Sequence, residues 1–178
     1  DTKLVELENG NIDCLWNGMT ITDDLKANIS ISEPYAQNTQ VIVTKAENKD
    51  VYSDFSKLIG KTVTVEAGSA AQEVAEEDEN LSQAELLTVN KQTDALLEVK
   101  SGTADAAIFD QTMADTMIGE GTDFADLTTC GVFHQEEYGI GFRMGSDLCE
   151  EVNKIIADLK ADGSLQSLAD KYGLTLAD

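Results

Sequence analysis

The sequence predicts an α/β fold, and three observations carry that prediction. Short runs of β-branched and alternating residues recur between stretches of helical periodicity. The segments joining them are punctuated by Gly, Asn and Asp. One helix–Gly–strand unit occurs twice, at residues 4–13 (LVELENGNID) and 96–105 (LLEVKSGTAD). Strands separated by helices argue for largely parallel sheets, because a parallel pair needs a long crossover between its strands. The 178 residues, 42% hydrophobic and 26% charged, supply enough apolar material for a packed core and set the length of one domain or two small ones.

The elements follow in order. Residues 3–8 read as the last turns of a helix, with Leu4, Val5 and Leu7 apolar and Asn9-Gly10 as the stop. A buried-type strand, 12–16, and a Gly-containing loop, 17–22, come next. Ser32-Glu33-Pro34 marks a turn, and QVIVT (40–44) a strand. Residues 53–59 form a short helical turn ended by Gly60, and KTVTVE (61–66) alternates as a strand. Ser69 is a fitting N-cap for a helix through Glu77, and 76–80 is an acidic, solvated stretch. A strand at 86–89, a helix at 94–100 closed by Gly102, and a strand at 104–109 follow. The next helix holds Met113, Ala114, Met117 and Ile118 and is broken by Gly119 and Gly121. Two strands, 127–133 and 138–143, precede two amphipathic helices separated by Asp162-Gly163. Val152, Ile155, Ile156 and Leu159 keep the i, i+3, i+4, i+7 spacing, as do Leu165, Leu168, Ala169 and Tyr172.

The duplicated unit is the most informative feature. Each copy is a helix end, a Gly, a spacer, a small apolar residue and an Asp entering a buried strand. In register, Gly18-Met19-Thr20 of the first copy falls where Asp110-Gln111-Thr112 falls in the second. Two copies suggest two lobes of related topology. Ligands of parallel α/β sheets sit beyond the carboxyl ends of strands, where these residues fall. A chance match of a common motif is the alternative.

Charge excludes several partners. With 34 acidic residues against 12 basic ones, the net charge of −22 repels nucleic acid and anionic membranes. No run of eighteen apolar residues spans a membrane, and no basic-then-apolar leader opens the chain. The three cysteines, Cys14, Cys130 and Cys149, cannot all pair internally and form no CxxC or Cys/His cluster. Cys14 reads as a buried thiol, and a Cys130–Cys149 bridge stands as an alternative to free thiols. His134, the lone histidine, reads as a surface-loop residue without a catalytic partner. The glutamates at 76–79 lack the oxygen-ligand spacing and Gly of a calcium loop, so no metal or cofactor is expected.

A series of segments carries a resemblance. GNID (10–13) followed by WNGMTIT (16–22), ISEPY (31–35), QVIVT (40–44), GKTV with EAGS (60–69), the segment from Gly102 to Asp110, EYGIGFRMG (137–145) and VNK through LKADGS (152–164) occur in order. Together they resemble the polar amino-acid class of extracellular solute-binding proteins (family 3, type II periplasmic binding proteins), which serve ABC importers. The resemblance implies two α/β lobes joined by crossing strands, with ligand held between them. On that basis residues 40–137 form one complete lobe, 1–38 and 138–178 the remainder of the other, and the hinges lie near 35–40 and 135–138. The family's first lobe begins with a strand, a helix and a strand ahead of the point matching Asp1, so the chain is expected to be N-terminally truncated.

What the resemblance implies for the site can be put in chemical terms. A zwitterionic amino acid needs an anion for its ammonium and donors for its carboxylate. Asp110, at the end of an apolar strand, matches the family residue that accepts the ammonium, a charge-assisted contact; a plain helix N-cap is the other reading. Gly68, Ser69 and Ala70 match the loop that binds the carboxylate at a helix start, with an ordinary capped helix as the alternative. Thr20 would add a hydroxyl and amide from the other lobe, and the Gly18 carbonyl would face the ammonium. Trp16 is open between core packing and ligand contact, and Tyr35 reads as hinge packing. One position departs from the pattern. Leu25 stands where the family places an arginine that clamps the carboxylate, and Lys26 beside it is a point charge, not a fork. A ligand without a carboxylate, a carboxylate held by amides alone, and a site that no longer binds all fit that departure.

The function implied is an extracytoplasmic solute-binding component, in the periplasm or on a Gram-positive cell surface. It would close around an amino acid or related polar solute and deliver it to the importer's membrane permease. An enzyme on the same fold, resembling cyclohexadienyl dehydratase, is the alternative, though only Asp110 could serve as its acid; a ligand-sensing receptor domain is another. Self-association of the truncated lobe is a further expectation.

Overall fold

The computed structural model describes residues 2–177; Asp1 and Asp178, the ends of the spans expected above, lie outside them. The chain divides into two compact units: unit 2 is Thr39–Gln135, and unit 1 takes its residues from Asp1–Asn38 and Glu136–Asp178.

Unit 2 is a three-layer α/β/α arrangement. Its sheet has the order β7-β3-β6-β4-β5, from β3 (Ala36–Lys45), β4 (Thr62–Glu66), β5 (Glu85–Val89), β6 (Ala106–Asp110) and the first part of β7 (Leu127–Phe142). Alternation in β3 and β6 builds a core on each face. Val41, Val43, Ala107 and Phe109 point to one, against Leu96 and Val99 of α4 (Gln92–Ser101) and Ala114 of α5 (Gln111–Met117). Ile42 and Ile108 point to the other, with Val63, Val65, Leu58, Leu81 and residues Ala71 and Ala75 of α3 (Ala70–Glu77). Both faces of the sheet are covered, which explains why its strands read as nearly continuous apolar runs.

The sheet is mixed, a correction to the largely parallel expectation. β4 lies parallel to β5 and to β6, but β3 is antiparallel to β6. The reason is connectivity. Helices α3 and α4 cross over between β4, β5 and β6, whereas β3 reaches β4 through the 3-10 turns Ala46–Asn48 and Phe55–Leu58 without an α-helix.

Unit 1 is built on the last part of β7, with β1 (Leu15–Thr20) and β2 (Ser30–Ile31) each antiparallel to it. Leu7 of α1 (Lys3–Glu8) packs with Leu15, Met19 and Ile29, and Leu25 of α2 (Asp23–Asn28) joins that cluster. A second cluster joins Ile140 and Phe142 of β7 to Cys149 and Ile156 of α6 (Asp147–Ala161), with Leu165 of α7 (Ser164–Tyr172) against it. Arg143 ties α1 to the sheet: its guanidinium donates to the Leu7 carbonyl at 3.3 Å and to the Ile12 carbonyl at 2.7 Å.

Other differences from the sequence reading have local causes. The strand expected at 12–16 starts at Leu15 and continues to Thr20, through the segment expected as a loop. Gly18, at φ +68°, lets the strand carry an irregularity between Leu15 and Met19 and resume its register with β7. The two strands expected at 127–133 and 138–143 are one, β7, and β3 begins four residues early, at Ala36. Helix α2 was not anticipated as an element; the Thr22 hydroxyl caps it by accepting the Leu25 N–H at 3.2 Å. All three cysteines are free thiols, so the Cys130–Cys149 bridge does not form, and Cys14 is half-buried where a buried thiol was expected.

Candidate functional site

Three carboxyl strand ends of unit 2 bring the expected residues of that unit to one edge of the sheet. β4 and β6 are adjacent and parallel, with Val63 opposite Ala106. The turn after β4 holds Gly68 and Ser69, Ala70 opens α3, and Asp110 ends β6. The chain leaving β5, next to β4, enters α4 at Gln92. Such edges are where open α/β sheets hold ligands.

Asp110 is 9% exposed and embedded in amides. Gln40, opposite it on β3, donates from Nε2 to one carboxylate oxygen. Gln92 donates from Nε2 to the other at 2.7 Å and accepts the Asp110 backbone N–H on its Oε1 at 3.1 Å. Asp110 stands at the N-cap position of α5, but its side chain makes no capping hydrogen bond to that helix. The plain N-cap reading therefore fails. The carboxylate is aimed by two glutamines instead, and neither was singled out from sequence as a site residue. Only the pairing of β3 with β6 reveals Gln40, and only the fold brings Gln92 across 18 positions of chain.

At the α3 start, Ser69 is the N-cap, as its sequence position suggests. Its hydroxyl accepts the Gln72 N–H at 3.2 Å and donates to the Glu66 carbonyl at 2.8 Å. Gly68, at φ +70°, makes the turn that no side chain tolerates well, and its N–H donates to Gln72 Oε1 at 2.8 Å. The Ser69 N–H also reaches the Glu66 carbonyl, at 3.3 Å. Several donors expected to meet a carboxylate are thus engaged within the loop itself. Glu73 lies in the first turn of the helix, where its charge offsets the positive end of the helix dipole.

In unit 1, Trp16, Gly18 and Thr20 lie along β1. Trp16 is 66% exposed, which corrects the core-packing reading; its ring stands edge-on to Tyr35 at 6.1 Å. Tyr35 in turn lies 6.4 Å from Tyr138, the residue paired with Thr20. Burial pushes the Tyr35 hydroxyl above the usual tyrosine range, against an opposing hydrogen bond with Trp16. A Cβ on Gly18 would touch the Tyr138 ring at 3.5 Å, so this glycine is held both by its backbone angle and by the ring beside it. A separate groove of about 800 Å³ in unit 1, lined by Ile21, Lys26, Ile31, Glu137 and Ser146 among others, does not include Trp16, Gly18 or Thr20.

Leu25 and the charges around it are also placed. Leu25 packs into the Leu7–Met19 core cluster, and Lys26, largely exposed, pairs with Asp23 at 3.3 Å. Among the described residues, no cluster of three His, Cys, Asp or Glu side chains is arranged to hold a metal ion.

Comparison with known proteins places these features in a family. The L-cystine-binding protein TcyJ of Escherichia coli is 28% identical over 173 residues, covering 97% of this chain and 64% of its own length. The chain thus spans less than two thirds of that relative. A solved mutant of ArgBP from T. maritima is 31% identical, with a TM-score of 0.86 over 97% of this chain and 73% of that one. An ancestral arginine-binding protein solved with arginine bound is 30% identical, with a TM-score of 0.86 over 97% of this chain and 76% of its own. The family profile of bacterial extracellular solute-binding proteins, family 3, matches residues 1–175. With that match running through both units, the chain belongs to the bacterial extracellular solute-binding proteins of family 3.

Proposed function

We propose that this chain is the solute-recognition part of an extracytoplasmic binding protein that serves an ABC importer, and that Asp110 receives a cationic group of the solute. The observation that carries this reading is the carboxylate itself: nearly buried, at a carboxyl strand end, and held in place by the amides of Gln40 and Gln92. A carboxylate aimed by neutral donors is placed to accept a positive partner, and charge-assisted contacts are stronger than neutral ones. Relatives that bind cystine or arginine support a small polar solute bearing an ammonium. The Gly68–Ala70 segment, at the same sheet edge of unit 2, belongs to the proposed recognition set.

The test is binding by the full-length mature protein with and without Asp110→Asn. Calorimetry against amino acids and amines should find a ligand whose affinity falls at least about ten-fold in the variant. Unchanged affinity in Asp110→Asn would remove Asp110 from the site.

An enzyme is the second reading, because a solved neighbour at 30% identity is an ancestral amino acid-binding protein described as a precursor of cyclohexadienyl dehydratase. Dehydration would require a proton donor. Both Asp110 oxygens accept from amides, an arrangement suited to an acceptor, and we therefore read the chain as a binding protein. Turnover of prephenate or arogenate would reverse that choice.

A further inference from the structure

We infer that the groove of unit 1 is a second binding site, and that it takes a linear aliphatic polyamine, with the methylene chain on the groove floor and the ammonium groups at its rim. Every residue that lines the groove belongs to unit 1, so the site stands apart from Asp110 and from the reading above.

The groove holds about 800 Å³, within the roughly 300–1,000 Å³ of small-ligand pockets. Its floor is apolar. Ile29 and Cys149 are buried there, and Ile21, Ile31 and Pro34 are half-buried. Its rim is acidic. Glu33, Glu137, Asp147 and Glu150 are all exposed along it, and they come from three separate stretches: the turn after β2, strand β7 and the first turn of α6.

The opposing charges are smaller. Lys26 is the cation in the lining, and it pairs with Asp23 at 3.3 Å. The start of α6 adds about half a positive charge from its helix dipole. Set against the four carboxylates, these leave a surplus of about two and a half negative charges.

The distribution of that surplus selects the ligand. Among the described residues, no three His, Cys, Asp or Glu side chains converge as a metal ion requires. The charge runs along the rim and is not focused on one point. A polyamine spaces its ammonium groups along a flexible apolar chain, which matches both the dispersed rim and the apolar floor. A compact ion matches neither.

Cys149 supports the same ligand from the floor. It is 9% exposed, and among the described residues its thiol makes no hydrogen bond. Burial, together with the charges of Glu150 and Glu33, pushes that thiol up, so carboxylates from two elements act on one groove atom. The thiol therefore stays neutral, with a sulfur that accepts weakly from an ammonium N–H.

Calorimetric titration of the full-length mature protein with spermidine, putrescine, butylamine and magnesium ion tests this. Spermidine should bind at one site, at least about ten-fold more tightly than butylamine or magnesium. The pair Glu33→Gln and Glu150→Gln should weaken it at least about ten-fold. Both side chains are exposed, and circular dichroism checks that the fold is kept. Asp110→Asn should leave spermidine binding unchanged, and so should Glu77→Gln with Glu79→Gln, which removes the same charge from the surface of unit 2. An equal loss in that control, or magnesium binding as tightly as spermidine, would reveal a general charge effect and overturn the site. Loss in Asp110→Asn would move the polyamine to the proposed solute site and overturn it too. So would no binding of either polyamine, or a lysine-rich peptide that displaces spermidine and binds at least about ten-fold more tightly.

Discussion

Gln92 grips Asp110 at two points, donating to its carboxylate at 2.7 Å and accepting its backbone N–H at 3.1 Å. One side chain thereby fixes both the backbone and the carboxylate of the proposed recognition residue. Gln92→Leu keeps the bulk and removes both bonds. Hydrogen bonds to charged groups contribute about 1.5–3 kcal/mol, so solute affinity should fall by about 10- to 100-fold. Calorimetry reads that change, and circular dichroism should show an unaltered fold. Full affinity in this variant would mean that Gln92 does not position Asp110 for the solute.

Gly131 tests the packing of unit 2. It sits at φ +67°, and a Cβ there would lie 2.8 Å from the Ser53 carbonyl oxygen and 3.3 Å from Ile42 Cδ1. The backbone oxygen cannot swing aside as a side-chain tip would. Left-handed strain and overpacking together put Gly131→Ala at about 2–4 kcal/mol of lost stability. Gly10, at φ +76° with nothing within 4 Å of its would-be Cβ, is the control. Gly10→Ala should cost only the strain, about 1–2 kcal/mol. Urea unfolding of both variants checks the difference, and equal losses would show that the Ser53 collision is relieved.

Arg143 tests the attachment of α1. Its guanidinium reaches two carbonyls at once, one at the helix end and one in the segment leading to β1. An ammonium cannot span that pair in the same geometry. Arg143→Lys should therefore cost about 1 kcal/mol and speed proteolysis near residues 9–14. The Asp13 ion pair adds little, because that carboxylate is 85% exposed. Limited proteolysis followed by mass mapping reads the effect, and Asp13→Asn should leave the cleavage rate nearly unchanged.

How much of this was legible in the sequence depends on whether a signal was local. Ser69 as a cap, Gly102 as a helix stop and the paired helix–Gly–strand units could be read because each is set by neighbouring residues. The missed features are pairings across long stretches of chain. Asn38 and Glu136 look like solvated polar residues, and they break the apolar pattern that marks a strand. Both are buried, however, because Asn38 Nδ2 donates to Glu136 Oε1 at 2.6 Å. That hydrogen bond ties the start of β3 to the middle of β7, which runs unbroken through residues 134–137. Gln40 and Gln92 escaped notice for the same reason: an amide becomes a positioning group only when the fold brings its carboxylate to it. The resemblance pointed to Asp110, but not to what holds it.

The thiols give a pH-dependent expectation. Burial pushes the Cys130 thiol up against an opposing influence from Lys49, and burial with the charges of Glu150 and Glu33 pushes the Cys149 thiol up. Thiolate is the reactive form, so raised values mean less of it at pH 8 and slower alkylation. Cys14, half-buried, should react first, and all three should react at equal rates in denaturant. The sign for stability follows from the same shifts. A group raised in the folded state stabilises it below the ordinary thiol range, and that contribution is lost as pH climbs through the raised values. Iodoacetamide labelling followed by peptide mapping checks the order, and fast labelling of Cys149 in the native protein would contradict its burial.

Trp16, in unit 1, is the only tryptophan of the sequence and reports on its own surroundings. Its ring is two-thirds exposed and touches Tyr35 edge-on, so the free protein should emit as a hydrated indole. A solute that covers the ring removes water from it and shifts the emission to shorter wavelength. If Trp16 faces a cation, replacement by Phe should weaken binding modestly, by about 0.5–2 kcal/mol, because the weaker ring quadrupole survives. Replacement by Leu should remove the attraction while keeping most of the apolar surface. A titration followed by fluorescence in the native protein, and by calorimetry in Trp16→Phe and Trp16→Leu, separates these contributions. An emission spectrum unmoved by a saturating ligand, with equal affinity in both variants, would place the solute away from Trp16.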